Sequence, residues 1–172
     1  MSAMDLFSLI AYVLPAYFAN ASPVIFGGGK PLDGKGKFID GKRMLGNNKT
    51  VKGSIAGLAT GTVVGTLIAI LIPSILPQFS TNRKILLAFL LSAGAVFGDL
   101  LGSFIKRRLG KKSGEQLVPL DQILFVLCAI VFATVAYIPS LEDTFLLLVI
   151  TLALHVFFNA LAHKLGLKSV PW

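Results

Sequence analysis

Ile85–Arg108 reads ILLAFLLSAGAVFGDLLGSFIKRR: a long apolar run broken by a single charge, Asp99, and closed by three consecutive cations. A helix needs about 20 largely apolar residues to cross the hydrocarbon core of a bilayer, and Ile85–Ile105 supplies them. A carboxylate inside such a span is costly, so it must face protein, water or a cation rather than lipid. One stretch therefore reads as a transmembrane helix and as the place where chemistry is to be sought.

Four more stretches carry the same signature. Leu6–Phe26, Gly53–Asn82 and Gln122–Leu141 are uncharged, and Thr144–His163 carries only two histidines near its end. The expected fold is all-α: a polytopic membrane protein of five transmembrane helices in a single domain, 1–172. The spans fall at about 5–22, 53–77, 85–105, 121–140 and 144–163, with cytoplasmic loops at about 23–52 and 106–120. Composition agrees. The 172 residues are 55% hydrophobic and 14% charged, with a mean hydropathy of +0.80. A water-soluble domain of this size must keep most of its periphery polar. The net charge of +8 sits in blocks between apolar runs rather than along helical faces, so nucleic acid is not an expected partner. Cys128 is the single cysteine, which excludes an intrachain disulfide. Asp5 and the lack of a basic n-region make the first apolar stretch a span rather than a cleavable signal.

Lys and Arg in short loops mark the cytoplasmic side. The segment after the first span holds Lys30, Lys35, Lys37, Lys42, Arg43, Lys49 and Lys52. The segment after the third holds Lys106, Arg107, Arg108, Lys111 and Lys112, and the tail holds Lys164 and Lys168. Only Arg83 and Lys84 fall on the other side, beside Asp5, Glu142 and Asp143. The bias puts the N-terminus outside and the C-terminus in the cytoplasm of a multi-pass protein of the cell membrane. In the second span Gly53, Gly57, Gly61 and Gly65 recur every fourth residue, stacking on one face where a neighbouring backbone can approach closely.

Two cytoplasmic segments suit phosphate. Pro23–Gly53 is a Gly/Lys-rich loop whose exposed N–H groups and cations match an anion. Lys49-Thr50 lies before a helix start, where the dipole adds to that preference. No GxxxxGK[ST] spacing occurs, so this is not a P-loop; attraction to anionic headgroups is the simpler role. The second segment is sharper. On a helix Asp99, Ser103 and Lys106 share one face, with Gly102 beside them. Asp121 opens the next span. Two carboxylates completed by water or phosphate oxygens meet the ordinary needs of Mg²⁺; an Asp–Lys or Asp–Arg pair that only joins helices is the structural alternative. His155, Asn159 and His163 line one face of the fifth span, for interhelical hydrogen bonds or a role at the site.

At these residues the chain resembles the CDP-archaeol synthase family, the archaeal CTP:2,3-di-O-geranylgeranyl-sn-glycero-1-phosphate cytidylyltransferases. The matching strings are Ala19-Asn20 with Pro23-Val24, Gly28-Gly29-Lys30-Pro31-Leu32-Asp33, Asp40-Gly41-Lys42-Arg43, Lys49-Thr50 with Gly53, Gly98-Asp99 with Gly102 to Arg108, Pro119-Leu120-Asp121-Gln122, and a tail from Leu165 to Trp172. The third-span string also resembles the CDP-diacylglycerol synthase signature, departing at Gln122, where that family has Arg.

The resemblance implies Mg²⁺-dependent transfer of CMP from CTP to an isoprenoid ether-lipid phosphate, 2,3-di-O-geranylgeranylglycerol 1-phosphate, with release of diphosphate. Asp99 and Asp121 would hold the metal; Lys106, Arg107 and Lys49 would neutralise phosphates; Asn20, Ser103 and Thr50 would add hydrogen bonds. Gly28, Gly29, Asp33, Asp40 and Arg43 would cover nucleotide or lipid headgroup, and Lys111, His155 and Asn159 join the substrate-binding set. The lipid phosphate is already a nucleophile at neutral pH, so no Ser–His or Cys–His machinery is required. The rival reading is a small transporter or channel with Asp99 as its ion or proton site. It leaves the cations beside glycine-rich backbone unexplained, and no inverted repeat accompanies it. A CDP-alcohol phosphotransferase is suggested by Asp40-Gly41 alone, without that family's Asp repeats.

Overall fold

The computed structural model describes residues 4–164, and at Phe158, Asn159 and Ala162 the backbone only. The C-terminal tail from Leu165, which carries part of the resemblance, lies outside the described residues. In chain order the helices are α1 (Leu6–Ala21), α2 (Pro23–Phe26), α3 (Val51–Leu71), α4 (Thr81–Arg108), α5 (Leu120–Ala133) and α6 (Leu141–Lys164). Among the described residues there is no strand, only isolated bridges at Pro31–Thr50 and Lys37–Arg43. Leu6–Phe26, Val51–Leu71 and Thr81–Arg108 are each long and apolar enough to cross a bilayer, and Leu120–Ala133 is a shorter apolar helix. Large apolar side chains such as Val63 and Ile70 on α3, Phe89 on α4 and Val156 on α6 stand exposed, as a surface bathed in lipid requires.

Starts are set by caps. Asp5 accepts from Ser8 N at 3.0 Å, Thr50 from Gly53 N at 3.0 Å, and Ser80 from Arg83 N at 3.4 Å, each satisfying an N–H with no partner inside its helix. Lys106, Arg107 and Arg108 occupy the last turn of α4, where cations complement the helix dipole.

Glycine decides the packing. The buried face of α3 is Gly53, Gly57, Gly61, Gly65 and Ala69. A Cβ at Gly61 would lie 2.4 Å from both Pro15 O on α1 and Ser92 Oγ on α4, and one at Gly65 would lie 2.3 Å from Ala88 Cβ. The stripe is thus a wedge between two helices at backbone contact. Gly94 and Gly98 do the same for α4 against α5, where added Cβ atoms would meet Cys128 O at 2.5 Å and Phe125 Cα at 2.7 Å. α6 packs on α5 and α1, with Tyr17 and Thr151 hydroxyls 2.8 Å apart and Asp143 accepting from Met4 N at 3.1 Å.

Helix ends differ from the apolar runs in instructive ways. The second span, expected to reach residue 77, ends at Leu71. Pro73 has no N–H to donate and disfavours helical geometry at Ile72, which is found at φ −130°. The chain beyond it folds back, burying Ile75, Leu76 and Phe79. The fourth, expected over 121–140, is helical only through Ala133. Its 14 residues span about 21 Å, short of a full crossing. The following turn returns Ala136 and Tyr137 to the core, and Arg83 donates to Ala136 O at 2.9 and 2.5 Å. α4 outruns its apolar stretch at both ends, because the flanking Arg and Lys residues are themselves good helix formers.

Gly61→Leu should therefore separate α1 from α4 and lower thermal stability in detergent by well over about 1–3 kcal/mol, the usual cost of overpacking. Val63→Leu on the exposed face of the same helix should leave the melting curve where it was.

Candidate functional site

One end of the bundle gathers the ion pairs. Lys49 stands immediately before the Thr50 cap of α3, held there because Leu32 N donates to Lys49 O at 2.7 Å and Val51 N to Lys30 O at 3.2 Å. Gly28 and Gly29, at φ +96° and +82°, let the chain leave α2 and turn into this bridge. Lys49 Nζ then donates to both oxygens of Asp99 at 2.6 Å. Asp99 thus meets a cation from another segment, not the Lys106 of its own helix face. Lys106 instead reaches Asp121 in the first turn of α5, with Nζ 2.8 Å from Oδ1 and 2.9 Å from Oδ2, and Leu117 N donates to the same Oδ2 at 2.9 Å. The glycine contact between α4 and α5 brings Asp121 this close: a Cβ on Gly102 would lie 3.8 Å from Asp121 Oδ1, one turn along from Asp99. Side chains are partly shielded, from 13% exposed at Lys106 to 32% at Asp99. A cavity of about 30 Å³ beside Asp99 is bordered by Asn48, Lys49, Thr50 and Ser54.

The glycine-rich loop is a folded cover. Asp33, its side chain 1% exposed, accepts from Arg43 Nη2 at 2.7 Å and Nε at 3.2 Å, and from the N–H groups of Leu45 and Gly46 at 3.0 and 3.2 Å. The Arg43 guanidinium, with those backbone donors, holds its carboxyl well below the usual carboxylate range against the opposing effect of burial. Arg43 also donates to Asn47 Oδ1 at 3.0 Å. Arg108 fastens this cover to α4. Its Nη1 donates to Asp40 Oδ1 at 2.6 Å, its Nη2 to Arg43 O, and its guanidinium lies 5.0 and 4.8 Å from the Phe38 and Phe104 ring centres. Lys42 Nζ returns a hydrogen bond to Arg108 O at 2.9 Å.

Between cover and helix ends lies a cleft of about 380 Å³ lined by Lys42, Arg43, Asn47, Arg107, Lys111 and Lys112, with no acidic residue in its wall. Arg107 is 7% exposed and its Nε is buried without a hydrogen-bond partner. A separate open groove of about 640 Å³ is lined by Phe26, Ile55, Ala56 and Ala59, with Lys30 and Lys52 among its residues.

The residues singled out from sequence fall into separate groups. Asp99, Asp121, Lys49 and Lys106 form the two ion pairs. Arg107 and Lys111 line the cationic cleft. Asp33, Asp40 and Arg43 are engaged mainly in folding and docking the cover. Thr50 caps α3, and Ser103 Oγ donates to Asp99 O at 3.0 Å, so both hydroxyls serve the backbone. Asn20 is in the last turn of α1, next to Ala19, which borders the small cavity. His155 is half-buried on α6, which among the described residues contacts α5 and α1 and no other helix; the Asn159 side chain lies outside the described residues. Arg108 and Lys42 fall within the matching strings but were given no role at the site from sequence. The run Lys106–Arg108 looks uniform in sequence, and only the fold gives each member a different direction.

A sequence profile described as CarS-like: CDP-archaeol synthase matches residues 3–172. The chain belongs to this family. Relatives named CDP-archaeol synthase include one from Thermococcus gammatolerans, 48% identical with 98% of this chain and 97% of the relative covered. Another, from Pyrococcus horikoshii, is 47% identical with both chains covered completely. A solved structure described as an intramembrane enzyme for archaeal membrane lipids biosynthesis superimposes with a TM-score of 0.80 at 34% identity, covering 90% of this chain and 94% of that one. The molecule is accordingly an enzyme of the CTP-dependent cytidylyltransferase class, built in a membrane.

The donor set fits Mg²⁺. Asp99 and Asp121 each offer the hard carboxylate oxygens that such an ion takes. That suits an ion which takes one or two carboxylates and completes its shell with water and substrate phosphates.

Asp33→Asn should release the cover. Losing charge-assisted bonds worth about 1.5–3 kcal/mol should raise amide exchange at Leu45 and Gly46 roughly tenfold or more. The pH dependence has a defined sign. With the folded pKa depressed, the clasp stabilises fully above the ordinary value of about 3.9 and is lost only as pH falls through the lower folded value. Slow exchange at these amides should therefore persist in mild acid in the wild type.

Proposed function

We propose that this enzyme transfers CMP from CTP to 2,3-di-O-geranylgeranylglycerol 1-phosphate in a Mg²⁺-dependent reaction, releasing diphosphate. The observation that carries the reading is the pairing of two carboxylates with two lysines, together with a cleft whose charged wall residues are all Lys or Arg, at the glycine-rich cover. A phosphate oxygen of the lipid attacks the α-phosphorus of CTP, the bond to the β-phosphate oxygen breaks, and diphosphate departs. Bound at Asp99 and Asp121, Mg²⁺ would supply charge neutralisation and orientation for the phosphoryl oxygens. Lys49 and Lys106 would neutralise the same oxygens, and Arg107, with Lys111 and Lys112, would meet the charge that accumulates on the leaving diphosphate. The groove of Phe26, Ile55 and Ala59 with Lys30 and Lys52 suits a lipid phosphate with its chains in the bilayer.

The same reading places the cations in the cytoplasm, where CTP is made. It has five spans, α1 continued by α2, then α3, α4, α5 with its buried turn, and α6, with the N-terminus outside. A cytoplasmic C-terminus follows from the odd number of crossings.

Asp99→Asn and Asp121→Asn should each lower formation of a lipid-soluble product from radiolabelled CTP by about 10²-fold or more, the scale of a lost metal contribution. Wild-type turnover in either would remove the metal assignment. For topology, in a background with Cys128→Ser, cysteines replacing Lys37 and Lys112 should react with a membrane-impermeant thiol reagent only after the cytoplasmic face is opened. One replacing Thr81 should react in intact cells, and the opposite pattern would invert the orientation.

A further inference from the structure

Each carboxylate that the proposed function gives to Mg²⁺ carries a lysine ammonium spanning both its oxygens: Lys49 on Asp99 at 2.6 and 2.6 Å, Lys106 on Asp121 at 2.8 and 2.9 Å. The formal charges of these side chains cancel. The lysines come from structurally constrained places. Lys49 is fixed by the backbone bridge to Lys30–Leu32 and by the Thr50 cap, and Lys106 lies in the last turn of α4. Both are shielded, with side chains 24% and 13% exposed. Shielding matters because attraction across such distances is several-fold stronger at a partly buried site than in bulk water. A divalent cation arriving alone would have to displace two tethered ammonium groups and leave them beside it, a net positive charge in a poorly solvated place. A polyphosphate reverses that balance. It offers the displaced ammonium groups new partners and brings more negative charge than the ion brings positive.

We propose that Lys49 and Lys106 act as exchangeable counter-ions that keep a lone divalent cation off Asp99 and Asp121, so that the metal is accepted only together with a polyphosphate that draws the lysines away. This rests on the assignment of those carboxylates to the metal and adds an order of binding to it. With Asp99 and Asp121 as its protein ligands, an ion of this kind would take most of its shell from water or from the nucleotide. Linkage then makes the coupling reciprocal: whatever factor the polyphosphate contributes to metal affinity, the metal contributes to polyphosphate affinity.

The experiment uses Mn²⁺ as a spectroscopic stand-in for Mg²⁺ and reads binding, not turnover. Purified full-length protein in detergent is titrated with Mn²⁺, and free ion is followed by its electron paramagnetic resonance signal. The titration is repeated with α,β-methylene-CTP, with the nucleotide's own Mn²⁺ binding subtracted. Wild type should bind Mn²⁺ at least tenfold more weakly alone than with the analogue. Lys49→Met and Lys106→Met should each tighten Mn²⁺ binding without nucleotide at least tenfold, and Asp99→Asn added to either should abolish that gain. Nucleotide-free binding in wild type as tight as with the analogue, yet lost in Asp99→Asn, would overturn the counter-ion role while leaving the metal assignment standing. Binding that Asp99→Asn does not touch would overturn both. No gain in either lysine variant, with the analogue still binding as a check on folding, would show that the lysines do not hold the ion off.

Discussion

A carboxylate carried by a helix of membrane-crossing length must face protein, water or a cation, and much of this molecule can be understood from how Asp99 meets a cation. Its partner is Lys49, delivered from a different segment by a loop that leaves α2, folds on itself and returns to cap α3. That contact ties the glycine-rich loop to the bundle. The loop is bound in turn at its other edge, where Arg108 engages Asp40 and the carbonyl of Arg43. A segment that its many glycines would suggest is floppy is thus fastened at both edges by charges rooted in α4.

Backbone proximity makes the second pair. Asp121 reaches Lys106 because α5 lies against α4 with no side chains between them at Gly94 and Gly98. The same device brings α3 between α1 and α4. In lipid, where apolar association between helices has no hydrophobic drive, close packing of small residues supplies cohesion. Here it also sets the spacing of the charged groups, so stability and chemistry share one cause. The short α5 belongs to this arrangement. Its missing length is covered by a turn whose free carbonyl at Ala136 is satisfied by Arg83, as backbone out of reach of water requires.

The two openings flanking the cover differ as their proposed occupants differ. One is walled by Lys and Arg and polar backbone; the other is apolar, with two lysines at its margin. The chain from Phe26 to Lys52 contributes lining residues to both.

Hydrophobic runs, the lone Asp99, the one-sided Lys and Arg and the four-residue glycine spacing were all legible in the residues, because each reflects a local rule: length against bilayer thickness, cost of a buried charge, periodicity of a helix. The family was legible too, through short strings in a fixed order. Helix ends were less so. Pro73 and the turn after Ala133 stop helices inside stretches whose hydropathy continues, since hydropathy records solvent and not backbone geometry. Partner choice was not legible at all. The helix face groups Asp99 with Lys106, yet Asp99 takes Lys49 and Lys106 takes Asp121; Asp33 and Arg43, candidates for substrate, mainly hold the loop together. Such pairings depend on where segments distant in the chain are placed in space. The sequence by itself determined the membrane-embedded helical bundle and the charges available at one end of it; only tertiary packing decided which charges meet, because an ion pair is set by distances of a few ångströms between separate segments.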